Sequence, residues 1–130
     1  MIITTNVSAG PGEVHDDGRS TFEELEIPLA GPEPLQASEQ LPAVGVHFIE
    51  SIGEGQLFSG NAPRRLFVLL LQGMLEVEAG DGSVRRVGPG DVLLADDTTG
   101  KGHILRGVES PRRAIFVTVP DDFDEGRFRP

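Results

Sequence analysis

The stretch LEVEAGDGSVRRVGPGDVLLA, residues 75–95, decides the fold. Leu75, Val77 and Ala79 alternate with Glu76 and Glu78, the period of two that puts apolar side chains on one face of a strand and charged ones on the other. Asp81-Gly82 is a hairpin turn signal, and Val84 to Val87 returns from it. Gly88-Pro89-Gly90-Asp91 then forms a tight turn, after which residues 91–95 run on as another strand. Outward from this unit, strands are predicted at 44–51 (VGVHFIES), 55–59, 65–72 (RLFVLLLQ), 103–108 and 112–119 (RRAIFVTV), with Gly73 as a turn between two of them. No segment has ten residues of clean helical periodicity. TFEELE, residues 21–26, is long enough for one helical turn, but Leu25, Ile27 and Leu29 alternate and favour a strand. With 17 Gly and 10 Pro between short apolar segments, the chain reads as all-β, a sandwich or jelly-roll barrel.

Residues 30–43, AGPEPLQASEQLPA, hold three prolines and little apolar content, which predicts a surface loop. Residues 1–43 are therefore expected to form an N-terminal arm with one or two edge strands and this loop. Residues 44–119 are expected to form the β-barrel, and the tail PDDFDEGRFRP, residues 120–130, reads as poorly ordered.

The 130 residues, 38% hydrophobic, suit one globular unit that buries roughly two thirds of its unfolded surface. A net charge of −10 repels phosphate backbones and anionic headgroups, so neither nucleic acid nor a membrane surface is an expected partner. The N-terminal stretch lacks a basic and apolar leader pattern, and no apolar run approaches the ~20 residues of a membrane span. Absence of cysteine rules out disulfides and thiolate chemistry and suits a reducing compartment, so a cytoplasmic location is expected. Trp and Tyr are absent as well, which removes a tyrosine acid and aromatic cages built on those residues.

The loop LADDTTGKGHILRG, residues 93–106, is not a phosphate-binding P-loop: Ala95 stands where the first glycine belongs, and Gly102 follows Lys101 in place of a hydroxyl. A strand, not a helix, is predicted after it.

From about residue 44 to 119 the chain resembles the cupin family, on the residues FVLLLQGMLEVEAGDGSVRRVGPGDVLLADDTTGKGH. The resemblance implies a cupin-type double-stranded β-helix, a jelly-roll barrel of two antiparallel sheets, often dimeric, whose lumen holds the site. The fold alone names no reaction. Metal-dependent members take ligands from G-x5-H-x-H-x3,4-E-x6-G and G-x5-P-x-G-x2-H-x3-N. Anchored on Gly73, the first motif puts its glutamate at Leu66 and its histidines at Gly60 and Ala62, or at Ser59 and Asn61. In the second, Gly100-Lys101-Gly102-His103 matches G-x2-H, but Thr98 replaces the proline and Gly107 the asparagine. Only His103 survives. Catalytic metal sites usually need about three protein ligands, so no metal and no other cofactor is expected.

The resemblance, whose inward glutamate position falls at Leu66, implies that Leu66, Val68 and Leu70 face inward by strand alternation, and Leu75, Val77 and Ala79 on the next strand. Val92 and Leu94 are expected to join them, and the resemblance adds His103 and Leu105. The implied lumen is apolar with a few polar groups, the usual form of a small-molecule site. His103 is the candidate general acid or base, with a hydrogen-bonded structural histidine as the alternative. His47 pairs across the lumen with His103 if His47, Ile49 and Ser51 face inward; if Val46 and Phe48 do, it lies outside and Glu50 faces the lumen. His15, in HDDGRS, is expected to be solvated. One of Arg64 and Arg65 belongs at the lumen mouth, where a guanidinium would bind a carboxylate, phosphate or enolate oxygen, and Arg64 is the candidate. Arg85-Arg86 and Arg112-Arg113 read as solvated doublets. A carboxylate from Asp96-Asp97 reaching His103 would fix its tautomer; Asp96 is the candidate, with turn formation as the other role. Lys101 sits between glycines on an exposed tip.

Three functions follow. The first is a metal-independent isomerase, cyclase or lyase using His103 on a small, rather hydrophobic molecule. The second is a non-catalytic binding or scaffold domain whose own Leu and Val fill the lumen. The third is a metal-dependent oxygenase with His47, Glu50, Asn61 and His103 as unusual ligands. A homodimer is expected from the resemblance and from the exposed edge of the arm.

Overall fold

The strand-forming segments do become strands, and two of them are much longer than their sequence pattern suggests. The computed structural model describes residues 2–7, 20–98 and 102–129. Its strands are β1 (Ile2–Val7), β2 (Thr21–Glu26), β3 (Gly45–Ser51), β4 (Gly55–Gly60), β5 (Leu66–Glu78), β6 (Val84–Val87), β7 (Val92–Ala95) and β8 (His103–Thr118), followed by a 3-10 turn at Glu125–Phe128. The protein is all-β. The strands run β2-β1-β7-β5-β8-β3, with β4 added to β8 and β6 to β5. Pairing is antiparallel except between β1 and β7, which run parallel. No helix among the described residues is long and apolar enough to cross a membrane.

Gly73 makes no turn. It lies inside β5 at φ +84°, a conformation that glycine adopts without strain, and the pairing of β5 with β8 shifts register on either side of it. The two segments predicted at 103–108 and 112–119 likewise join through Pro111 into β8, because the proline falls at that irregularity, where the ladder needs no N–H from it. Each long strand therefore serves two halves of the sheet. Leu66–Leu70 of β5 pair with β7 and with the end of β8, which β3 flanks; Leu75–Glu78 pair with β6 and with the start of β8, which β4 flanks.

LFVLL, residues 66–70, is apolar throughout because both its faces are covered, whereas Leu71 beyond it is exposed. Leu66, Val68 and Leu70 join an inner cluster with Leu75, Val77, Leu93 and Ala95. Phe67 joins an outer cluster with Leu25, Ile27, Leu94, Val119, Phe123 and Phe128, against which Leu69 and Val92 pack. The expected orientation of Val92 and Leu94 is thus reversed. Val68 lies opposite Leu93 and Phe67 opposite Leu94, and directly opposed residues share a face, so a one-residue difference in register turns Leu93 and Ala95 inward.

The Asp81-Gly82 hairpin forms as predicted, with Ala79 N–H donating to Ser83 O at 2.9 Å. So does the Gly88–Asp91 turn, closed by Gly88 N–H donating to Asp91 Oδ2 at 2.8 Å. Residues 30–43 form a surface loop with one bridge between Ala30 and Ala37. The arm supplies the edge strand β2 and its neighbour β1.

The tail departs from expectation, since Phe123 and Phe128 are buried. Arg65 holds it: the guanidinium donates to Asp121 O at 2.8 Å and Phe123 O at 2.7 Å, and pairs with Asp96 and Glu125. Burial pushes the Asp96 carboxyl above the usual range, with Glu125 and Asp97 adding to the rise and Arg65 opposing it. Burial lowers the Arg65 guanidinium, but Asp96 and Glu125 more than offset this and leave it raised. Replacing Arg65 by Met strands two half-buried carboxylates and should cost about 3 kcal/mol at neutral pH, read from urea unfolding. A raised carboxyl favours the fold most below its ordinary value and loses that contribution as pH rises through the raised one. The deficit of the variant should therefore shrink towards about pH 4; a loss that does not change with pH would contradict the arrangement.

Candidate functional site

Between the two halves of the bent sheet lies a cavity of about 710 Å³. Alternation along each strand fixes its walls. His47, Ile49 and Ser51 of β3 face it, as do Leu57 and Phe58 of β4, Leu66, Val68, Leu70 and Leu75 of β5, and Leu93 and Ala95 of β7. His103 and Leu105 line it from one end of β8, Arg112, Ala114, Phe116 and Thr118 from the other. Of the residues expected to face a lumen, Leu66, Val68, Leu70, Leu75 and Leu105 line this cavity. Val77 is fully buried in the inner cluster without lining the cavity. The space between these side chains is open, and Leu and Val side chains form much of its wall.

His103 stands at the wall with its side chain 9% exposed, and its ring centroid is 5.5 Å from that of Phe58. Its Nδ1 lies 2.5 Å from Oδ2 of Asp97, a completely buried carboxylate. The partner is Asp97 and not Asp96. After β7 ends at Ala95, consecutive side chains turn to opposite sides, so Asp96 reaches Arg65 on the outer side while Asp97 reaches His103. The main chain fixes Asp97 in place: its carbonyl accepts from Ala62 N–H at 3.1 Å and Asn61 Nδ2 at 3.2 Å. Oδ1 of Asp97 has no hydrogen-bond partner among the described residues. A carboxylate on Nδ1 fixes the orientation of the ring and favours the tautomer with its proton on that nitrogen.

His47 lines the cavity from the first of the two predicted faces, and it is exposed, at the rim. Arg64 also lines the rim and is exposed, whereas Arg65 turns away into the tail network. Glu50 pairs with Arg113 on the other face of β3, and Asn61 is engaged with Asp97, so the proposed oxygenase set does not converge. Among the described residues, no three His, Cys, Asp or Glu side chains gather as a metal site. His15 and Lys101 lie outside the described residues.

Sequence reasoning missed Arg112, which is 2% exposed and lines the cavity instead of lying on a solvated face. Its signal was the alternation of Arg112, Ala114 and Phe116 within RRAIFVTV, which puts Arg112 on the face opposite Arg113.

Fold and site define an all-β protein with an apolar cavity, one carboxylate-oriented histidine and one buried arginine on its wall. No protein-family model matches the chain, and no curated protein is significantly similar to it.

An Asp97→Asn substitution removes the acceptor that keeps the proton on Nδ1. In long-range 1H–15N spectra the neutral ring of His103 should carry its proton on Nδ1 in the native protein, and in the variant the tautomer should move towards Nε2. An unchanged tautomer would contradict the assignment.

Proposed function

We propose that this chain is a cupin-type jelly-roll protein that performs acid-base chemistry, of isomerase, cyclase or lyase type, on a small and rather hydrophobic molecule without a metal. The observation that carries this reading is the His103–Asp97 pair on the wall of a largely apolar cavity. Nε2 of His103 would take a proton from the bound molecule or return one, and Asp97 would stabilise the imidazolium formed. Apolar surroundings strengthen that charge pairing by excluding water.

The double use of β5 and β8 by two halves of a sheet supports the jelly-roll reading, and the parallel β1–β7 pair departs from it. The family's metal does not fit the donors present. Its ligand positions carry Leu66 with Gly60 and Ala62, or with Ser59 and Asn61, and Nδ1 of His103 is committed to Asp97.

A second reading, a non-catalytic binder, draws on the hold of Asp97 on Ala62 and Asn61, which gives the dyad a structural use. Small apolar carbonyl compounds incubated with the protein in D2O separate the two. A base at His103 exchanges protons next to the carbonyl, and His103→Ala should lower exchange by about 10²-fold or more while binding persists. Binding with no exchange by the native protein favours the binder.

The chain is proposed to act in the cytoplasm as a homodimer, joined through β3. That edge strand exposes Val46 and Phe48, the latter 83% accessible, and two copies related by a two-fold axis would extend the sheet and cover them. Light scattering should return twice the 13.9 kDa chain mass, and Phe48→Glu should return the monomer; a native monomer at micromolar concentration would refute the dimer.

A further inference from the structure

Arg112 is a fully buried cation whose charge nothing in the described structure balances. Its guanidinium donates through Nε to Ser51 Oγ at 3.0 Å, through Nη1 to Glu109 O at 2.8 Å and through Nη2 to Gly53 O at 2.6 Å. All three acceptors are neutral. No carboxylate among the described residues lies within ion-pair distance of it, although every other buried or half-buried arginine described has one. A guanidinium has five N–H groups and keeps its charge throughout the working pH range, so two donors remain uncommitted on a residue that faces an apolar cavity. Burying such a charge without a counter-charge is costly, and an anion accepting both remaining N–H groups would relieve that cost.

The backbone is shaped to admit this side chain. A Cβ on Gly107 would stand 2.6 Å from Nη1 of Arg112, and one on Gly73 would stand 2.5 Å from its Cγ. On β8, Gly107 follows His103 and Leu105 on the same face, so the guanidinium lies about 13 Å along the strand from His103. Leu105 and Leu75 line the cavity along this stretch.

We propose that the cavity takes a monoanionic carboxylate with an apolar body, its carboxylate seated on Arg112 and its far end presented to His103. Allowing one hydrogen bond at each end, the body between them spans roughly 7 Å. This rests on the small-molecule reading above and names the class of molecule. Arg64 at the rim is exposed, so a carboxylate there would stay hydrated, whereas at Arg112 it would be desolvated and held by a planar fork.

The test compares octanoate with octanamide, which have the same shape and differ in charge, by calorimetric titration of the native protein. Octanoate should bind about tenfold or more tightly than the amide, and Arg112→Gln should reduce that ratio to near one. Arg112 also ties the bend of the sheet, so the side-chain Nε–H resonances of the 15N-labelled native protein are followed in the same titrations. Movement of the Arg112 signal with octanoate and not with octanamide supports the proposal. Equal binding of the two compounds overturns the anion site and leaves an apolar binding cavity standing. Movement of the Arg64 signal alone overturns the placement at Arg112. Binding of neither overturns the proposal together with the small-molecule reading beneath it.

Discussion

The bend that divides the sheet depends on one buried guanidinium. Arg112 ties together Ser51 at the end of β3, Gly53 beyond it and Glu109 on its own strand, where β5 and β8 lose register. Two glycines make the space: with any side chain at Gly107 the guanidinium would be displaced, and with any at Gly73 its aliphatic stem would be. Because the bend falls in the middle of both long strands, one face of the sheet curves around a cavity. The inner residues of β3, β5 and β8 then point towards a common space instead of lying on an open surface.

Strand alternation separates two chemistries that are adjacent in sequence. Asp96 and Asp97 follow β7 directly, and their side chains diverge to opposite sides of the sheet. Outside, Asp96, Arg65 and Glu125 anchor the tail, and the aromatic rings of Phe123 and Phe128 cover the outer face of β5. Inside, Asp97 is withdrawn from water and orients His103. The outer network docks the tail over the sheet's second apolar face, and the inner pair places one titratable ring on the cavity wall.

Much of this was legible in the sequence, and the failures have definite physical causes. The inward face of 66–70 followed from placing Leu66 at an inward motif position, since LFVLL is itself apolar at every position; period-two alternation gave the inward face of Leu75, and turn chemistry gave the hairpin at Asp81-Gly82. Val92 and Leu94 were misplaced because VLLA is apolar at every position, so alternation gives no phase and only cross-strand register decides. Gly73 and Pro111 look like breaks because these residues usually punctuate strands; within β5 and β8 they permit a bulge, and a bulge is visible only once the partner strand is known. The tail reads as polar, but two phenylalanines five residues apart supply enough apolar surface to dock it. At the site, His103 and its need for a carboxylate were readable. The choice of Asp97 over Asp96, and the burial of Arg112 beside the exposed Arg113, depended on the face that each side chain takes.

The claim on which the functional account turns is that His103 works with a carboxylate and not with a metal. Elemental analysis of the purified protein, after incubation with iron, manganese, nickel and zinc and removal of free ions, tests this most directly. The account predicts no stoichiometric metal under any of these conditions, because Nδ1 is held by Asp97 and the neighbouring wall is largely apolar. One bound ion per chain that disappears in His103→Ala would contradict it and assign the histidine to metal-assisted chemistry.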